Sequence, residues 1–253
     1  MKRSIKSLVG FTMGAIDGEI GKVKEFYFDD NAWTIRYLII ETGSWLFGRK
    51  VLISPQAVLT SDWENKVFLV NLTKEQIKNS PEIDTEKPVS RQQEIELYAH
   101  YPWTGYWGGG IWAGGMGTSG MMMSPSLPLE TAVHEKLHSE EAINPHLRST
   151  DHVTGYNIKA IDGEVGDVED FVIDEGTWKL AFMVVDTGNW FPGKKVLISP
   201  NWIKDIQWDT SDVMVNASVK QIKDSPEYDA NTYLSDGYET NLHTYYGGFI
   251  SQE

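Results

Sequence analysis

The chain is written twice. AIDGEIG at 15–21 returns as AIDGEVG at 160–166, and ETGSWLFGRKVLISP at 41–55 returns as DTGNWFPGKKVLISP at 186–200. QIKNSPEID at 76–84 returns as QIKDSPEYD at 221–229. Every match falls at one offset of 145, without a gap, and 31 of the 75 positions from Gly10 to Asp84 are identical. So long a period, used only twice, excludes a solenoid, which stacks several short units. It leaves two copies of one small domain. Weaker matches extend outward. Arg3-Ser4 faces Arg148-Ser149, and Ser90, Glu94, Leu97 and Tyr101 face Ser235, Glu239, Leu242 and Tyr246. The copies are therefore set at 1–101 and 146–253, with a linker at 102–145.

Each copy reads as strands followed by short helices. Glu19–Asp30, Trp33–Thr42, Lys50–Ser54 and Lys66–Asn71 are rich in β-branched and aromatic residues. Asp17-Gly18 and Asp162-Gly163 suit a hairpin turn with positive φ. Thr73 and Ser218 are placed to cap a short helix that ends before a proline. A second helix is expected from Ser90, where Gln93 stands at the capping-box spacing. Several short strands in so few residues predict a mainly β fold, a small closed barrel or a sandwich, and closure would remove the exposed edges. Beta-branched strands with a small core per copy also predict that the copies pack on each other and so bury more apolar surface.

The linker differs in composition. From Tyr101 to Leu129 no side chain is charged, and 105–123 holds eight glycines. So much glycine argues against a membrane-spanning helix and for a flexible, aromatic-studded linker. The N-terminus, MKRSIKSLVGF, is basic but has no apolar run of the length a signal peptide needs. A cytoplasmic location is expected, with at most peripheral contact with the inner membrane.

The runs DGEIGKVKEFYFDD, WTIRYLIIETG and GRKVLISP of copy one resemble the PRC-barrel family, as do DGEVGDVEDFVIDE, WKLAFMVVDTG and GKKVLISP of copy two. That family takes its name from the cytoplasmic domain of the photosynthetic reaction centre H subunit, and a related barrel ends a ribosome maturation factor. The two-barrel arrangement with an aromatic linker is similar to a group of bacterial proteins. The resemblance implies a six-stranded barrel per copy and a non-enzymatic binding or assembly role beside a membrane electron-transport or photosynthetic-type complex. It carries over no catalytic residue, and no cofactor. The membrane helix that anchors the H subunit has no counterpart here.

Motif by motif, the residues add little catalytic chemistry. With no cysteine in the chain, disulfides, thiolate metal sites and cysteine nucleophiles are excluded. His134-Glu135-Lys136-Leu137-His138 fits H-E-x-x-H, in which two histidines hold zinc and the glutamate acts as base. Lys136 and Ser139-Glu140-Glu141 make its flanks polar, and His146 does not stand at a metzincin spacing. The reading preferred here is a polar helix, so no metal site is assigned. A metal-binding protein or metal-dependent hydrolase built on His134, Glu135 and His138, with His146, is the alternative. The acidic pairs Asp17/Glu19 and Asp162/Glu164 read as hairpin chemistry rather than as cation ligands.

Tryptophans recur at Trp33/Trp178, Trp45/Trp190 and Trp63/Trp208. Most belong to packing, but Trp45 with Phe47, and Trp190 with Phe191, lie in a T-G-x-W loop. These four are the candidates for an apolar, partner-binding tip. The partner is a protein the sequence does not identify, and a homodimer stays open. The net charge of −14 is uneven: −1 over 1–101, −3 over 102–145 and −10 over 146–253. Nucleic-acid binding is thereby disfavoured, which leaves a ribosome- or RNA-associated factor as a second alternative. Between copies, Lys22 and Lys24 become Asp167 and Glu169 while Val23 persists as Val168. Alternation puts the valine inside and the reversed charges outside. The copies thus keep a core and change a surface, which suits separate partners or a complementary pair.

Overall fold

A computed structural model describes residues 1–82, 89, 91–101, 103–106, 146–188, 194–229 and 234–250. In chain order the first copy contains β1 (Lys2–Ser4), β2 (Thr12–Ala15), β3 (Gly18–Asp29), β4 (Thr34–Thr42), β5 (Lys50–Ile53), β6 (Val58–Asp62) and β7 (Val67–Val70). Helices α1 (Lys74–Lys78) and α2 (Arg91–His100) follow. The second copy contains β8 (Leu147–Ser149), α3 (Thr150–Val153), β9 (Asn157–Ala160), β10 (Gly163–Asp174), β11 (Leu180–Asp186), β12 (Lys195–Ile198), β13 (Ile203–Gln207) and β14 (Asp212–Val215). It ends with α4 (Val219–Asp224) and α5 (Asp236–Ile250). The protein is mainly β, as the sequence predicts.

Each copy folds its strands in the same order, β5-β4-β3-β2-β7-β6 and β12-β11-β10-β9-β14-β13. The β2–β7 and β9–β14 pairs are parallel and the others antiparallel. Register shifts within β3 and β10 mark bulges, which bend and twist a strand so that the sheet curls round its core. The end strands of each curl are joined by a 3-10 turn, Pro55–Ala57 or Pro200–Trp202. Ser54 or Ser199 caps it by accepting from the amide two residues on. The recurring Ser-Pro pairs are therefore turn chemistry.

Glycine is required at Gly21 and Gly166, where the backbone of the neighbouring strand comes close. A Cβ there would lie 2.1 Å from the Glu41 carbonyl oxygen and 1.9 Å from that of Asp186. At α1 the capping box is complete. Thr73 accepts from the Gln76 amide and the Gln76 side chain accepts from the Thr73 amide; Ser218 and Gln221 repeat this at α4.

The two curls are joined by a reciprocal exchange of strands. β2 covers only the first part of one edge of β3, pairing as far as Lys22. The rest of that edge is taken by the other copy: Leu147, Arg148 and Ser149 of β8 pair with Asp29, Phe28 and Tyr27. In return Lys2, Arg3 and Ser4 of β1 pair with Asp174, Ile173 and Val172 of β10. An unpaired edge exposes a row of N–H and C=O groups, and each copy satisfies the other's row. The chain then returns to its own copy, with Gly10 N donating to Val23 O and Gly155 N to Val168 O. Buried apolar side chains of both copies form one continuous core.

Candidate functional site

Two regions of each copy carry side chains beyond what packing of the curl requires. One is the end of the long hairpin. The other is the face of the helix that closes the copy.

At the hairpin end of copy one, the Asp17-Gly18 turn and the loop after β4 come together beside α1. Asp17 Oδ1 accepts from the Lys74 amide at 2.9 Å, and Asp162 does the same for Val219 at 2.7 Å. The aspartate of each acidic pair thus serves a helix N-terminus, where backbone donors otherwise lack partners. Thr42 Oγ1 donates to Arg49 O at 2.7 Å and closes the neck of the loop, as Thr187 does with Lys194. Trp45 is folded back: its Nε1 donates to Ile20 O at 2.5 Å and Lys74 Nζ lies 4.5 Å from its ring centre. The exposed ring at this tip is that of Phe47. It occupies the left-handed region (φ 55°) and is 97% exposed, with exposed Ile16 on the neighbouring turn. Ile161 is exposed at the same place in copy two. Trp190 and Phe191 lie outside the described residues.

The helix face of copy one is built round Glu94, a buried carboxylate on α2. Tyr37 OH donates to its Oε1 at 2.8 Å, Tyr106 OH to the same oxygen at 2.6 Å, and Arg91 Nη1 to Oε2 at 2.7 Å. Burial raises its pKa above the usual carboxylate range, opposed by the Tyr106 hydrogen bond, the Arg91 charge and the Tyr37 hydrogen bond. The segment after α2 covers this face. Trp103 stacks on Tyr101 at 4.2 Å, Gln56 exchanges two hydrogen bonds with the Thr104 backbone, and Tyr106 packs over the Arg36 guanidinium at 3.8 Å.

Copy two keeps the helix and changes the cover. Glu94 becomes Glu239, Tyr37 becomes Phe182, Arg91 becomes Asp236, Arg36 becomes Ala181 and Tyr98 becomes His243. Glu239 pairs instead with Lys2 Nζ, at 2.5 Å, across the strand exchange. The indole that stacks on Tyr246 is Trp202 of the 3-10 turn, at 4.1 Å, where copy one has Ala57. Thr240, His243 and Thr244 are exposed along α5 and, with Glu239, line a shallow hollow. The recurrence of Glu94 as Glu239, with Leu97 as Leu242 and Tyr101 as Tyr246, is the sequence signal for this region. Arg91 stands at i,i+3 to Glu94 on one helix, but the spacing of Tyr37 and Tyr106 gives no hint of their joining it.

The exchange seam holds the charges. Arg3 Nε donates to Glu175 at 2.6 Å and its guanidinium lies 4.1 Å over Trp63; Arg148 repeats this with Asp30 at 2.9 Å and Trp208 at 3.9 Å. The Met1 amine meets Glu175 at 3.1 Å, and His146 Nδ1 meets Asp30 at 3.2 Å in the equivalent place. His146 is thus part of the seam. His134, Glu135 and His138 lie outside the described residues, among which no three metal-ligating side chains converge. Ser4 Oγ donates to buried Asp170, and Ser149 Oγ to Glu25 at 2.5 Å. Lys6 and Lys195 both reach Glu169. The basic start of copy one therefore lies on the acidic copy two, and part of the charge imbalance is balanced inside the molecule.

No described helix is long and apolar enough to cross a membrane. A family model described as PRC-barrel domain matches residues 4–77 and again 154–222. No curated protein matches the chain.

Proposed function

The chain belongs to the PRC-barrel domain family, with the domain present twice, and from that premise we propose that it is a non-catalytic assembly module with two binding ends. The observation that carries this reading is the strand exchange, which joins the copies into one body and sets their apolar hairpin ends in fixed relation. Two weak contacts held in fixed geometry act together, and the second forms at a high effective concentration. Phe47 and Ile16 are exposed apolar side chains at this hairpin end, of the kind that serve as anchors at protein interfaces. The resemblance to the reaction centre H subunit supports a finer reading, in which the partner is a membrane electron-transport complex and the protein sits at its periphery.

Affinity capture with the intact chain tests this, against a Phe47→Asp chain and a chain lacking 102–128. Capture of one defined membrane complex that is lost with Phe47→Asp supports the tip. Capture that persists with Phe47→Asp and disappears without 102–128 moves the binding site to the linker.

A further inference from the structure

We propose that Lys6, Asp151, Lys24 and Glu169 form a charge code at the exchange seam, which makes copy two the partner of copy one and excludes pairing of either copy with itself. The partner that this surface fits is thus the non-identical copy, whatever the hairpin ends bind.

Much of the seam cannot choose. Arg3 with Glu175 repeats as Arg148 with Asp30, and Ser4 with Asp170 repeats as Ser149 with Glu25. These contacts would keep their kind if one copy replaced the other. Two residues beyond each exchanged strand the copies diverge: Lys6 corresponds to Asp151, and on the long strands Lys24 corresponds to Glu169. At copy two the central acid belongs to the sheet. Lys6 Nζ lies 3.4 Å and Lys195 Nζ 2.7 Å from Glu169 Oε1, and the Lys6 amide donates to Asp170 at 3.1 Å. At copy one the acid arrives from the other copy, as Asp151 on α3. Burial raises the pKa of Asp151, and the charges of Lys24 and Lys50 oppose it. Burial also raises that of Glu25, opposed by the Ser149 hydrogen bond, with Asp151 close enough to add to the rise.

Each site therefore joins two lysines to two acids: Lys6 and Lys195 with Glu169 and Asp170, and Lys24 and Lys50 with Asp151 and Glu25. A copy paired with itself loses that balance. Two first copies would set Lys6 beside Lys24 and Lys50, with Glu25 the acid among three lysines. Two second copies would set Asp151 beside Glu169 and Asp170, with Lys195 the base among three acids. Return of each strand to its own copy would make the same two mismatches. Glu41 near Lys24 and Asp186 near Lys195 are acidic in both copies and do not discriminate. Like charges held together at an interface suppress the wrong partner.

Urea unfolding of full-length variants tests the code. Lys6→Glu and Asp151→Lys should each lower the midpoint by about 0.3–0.5 M, as expected for a partly exposed ion pair. Glu169→Lys should recover the loss from Lys6→Glu, because together they give copy two the arrangement of copy one. Lys24→Glu should recover the loss from Asp151→Lys for the converse reason, and should deepen the loss from Lys6→Glu. The chain has no cysteine, so a disulfide between Lys2→Cys and Asp174→Cys, facing positions of β1 and β10, reads the exchanged pairing itself. Adding Lys6→Glu with Asp151→Lys to that chain makes each strand match its own copy. The disulfide should then form about tenfold more slowly, the effect of two mismatched sites. Paired reversals that fail to recover the midpoint, or a disulfide that forms as fast in the reversed chain, overturn the proposal.

Discussion

Thr34 and Lys179 stand opposite each other in an antiparallel bridge, and they are the same position of the two repeats. Ile35 N donates to Trp178 O and Leu180 N to Trp33 O, each at 2.8 Å, so the hydrogen bonds either side of the bridge are also exchanged by the offset of 145. A local twofold axis passes through this point. The exchanged strands, the two arginine–tryptophan stacks and the paired serine–carboxylate contacts all lie about it. An interface that maps onto itself is the mark of an isologous dimer; here both halves sit in one chain.

The exchange predicts where damage will appear. Arg3→Ala removes an ion pair with Glu175 and a stack on Trp63, but Glu175 belongs to copy two. It should lower stability by about 1 kcal/mol, since both groups are partly exposed. The loss should register as faster hydrogen exchange at Val172–Asp174 of β10. Arg148→Ala should do the same at Tyr27–Asp29. Faster exchange confined to the mutated copy's own strands would contradict the pairing.

The close backbone approaches at Gly21 and Gly166 predict a sharp glycine contrast. Gly21→Ala and Gly166→Ala place a methyl group against a backbone carbonyl and should each cost about 2–4 kcal/mol in urea unfolding. Gly43→Ala, with nothing within 4 Å, should stay within about 0.5 kcal/mol of the parent.

The tip residues should separate stability from binding. Trp45→Ala empties a half-buried site and orphans the Ile20 carbonyl, for about 2 kcal/mol or more. Phe47→Ala removes a ring that touches little and should leave the melting temperature almost unchanged. A large loss of stability with Phe47→Ala would mean that this ring packs on the fold.

The seam has a defined pH dependence through Glu175. Burial raises its pKa, but the Arg3 hydrogen bond and the Met1 amine outweigh that and hold it below the ordinary 4.5. A folded-state value below the unfolded one stabilises the fold above 4.5, and the stabilisation fades as pH falls through the lowered value. Glu175→Gln should therefore destabilise at pH 7 and make little difference at pH 2–3. Buried Asp170 has the opposite sign: burial raises its pKa despite its hydrogen bonds from Ser4, Phe171 and Lys6. Its ionisation opposes folding, and the fold gains from its protonation as pH drops. Paired chemical unfolding curves across pH for the two Asn and Gln variants read both signs.

The sequence alone determines a good deal about this protein. The offset of 145 defines two domains, β-branched runs define their strands, Asp-Gly marks the hairpins, and Thr73 with Gln76 and Ser218 with Gln221 mark the helix starts. These are local signals, each decided within a few residues. The partnership of the strands was decided only in three dimensions. β1 would meet the same backbone donors and acceptors on β3 as it meets on β10, because the two edges are copies of one another, so no side-chain pattern within the strand separates pairing at home from pairing across. What decides is the path of the chain after Ser4 and Ser149, together with the seam contacts of Arg3 with Glu175 and Arg148 with Asp30. The Glu94 cluster was legible only in its Arg91–Glu94 pair, three residues apart on one helix, because Tyr37 and Tyr106 come from elements that only packing brings to it. Trp45 looked as exposed as Phe47 from its loop, and one hydrogen bond to Ile20 separates them.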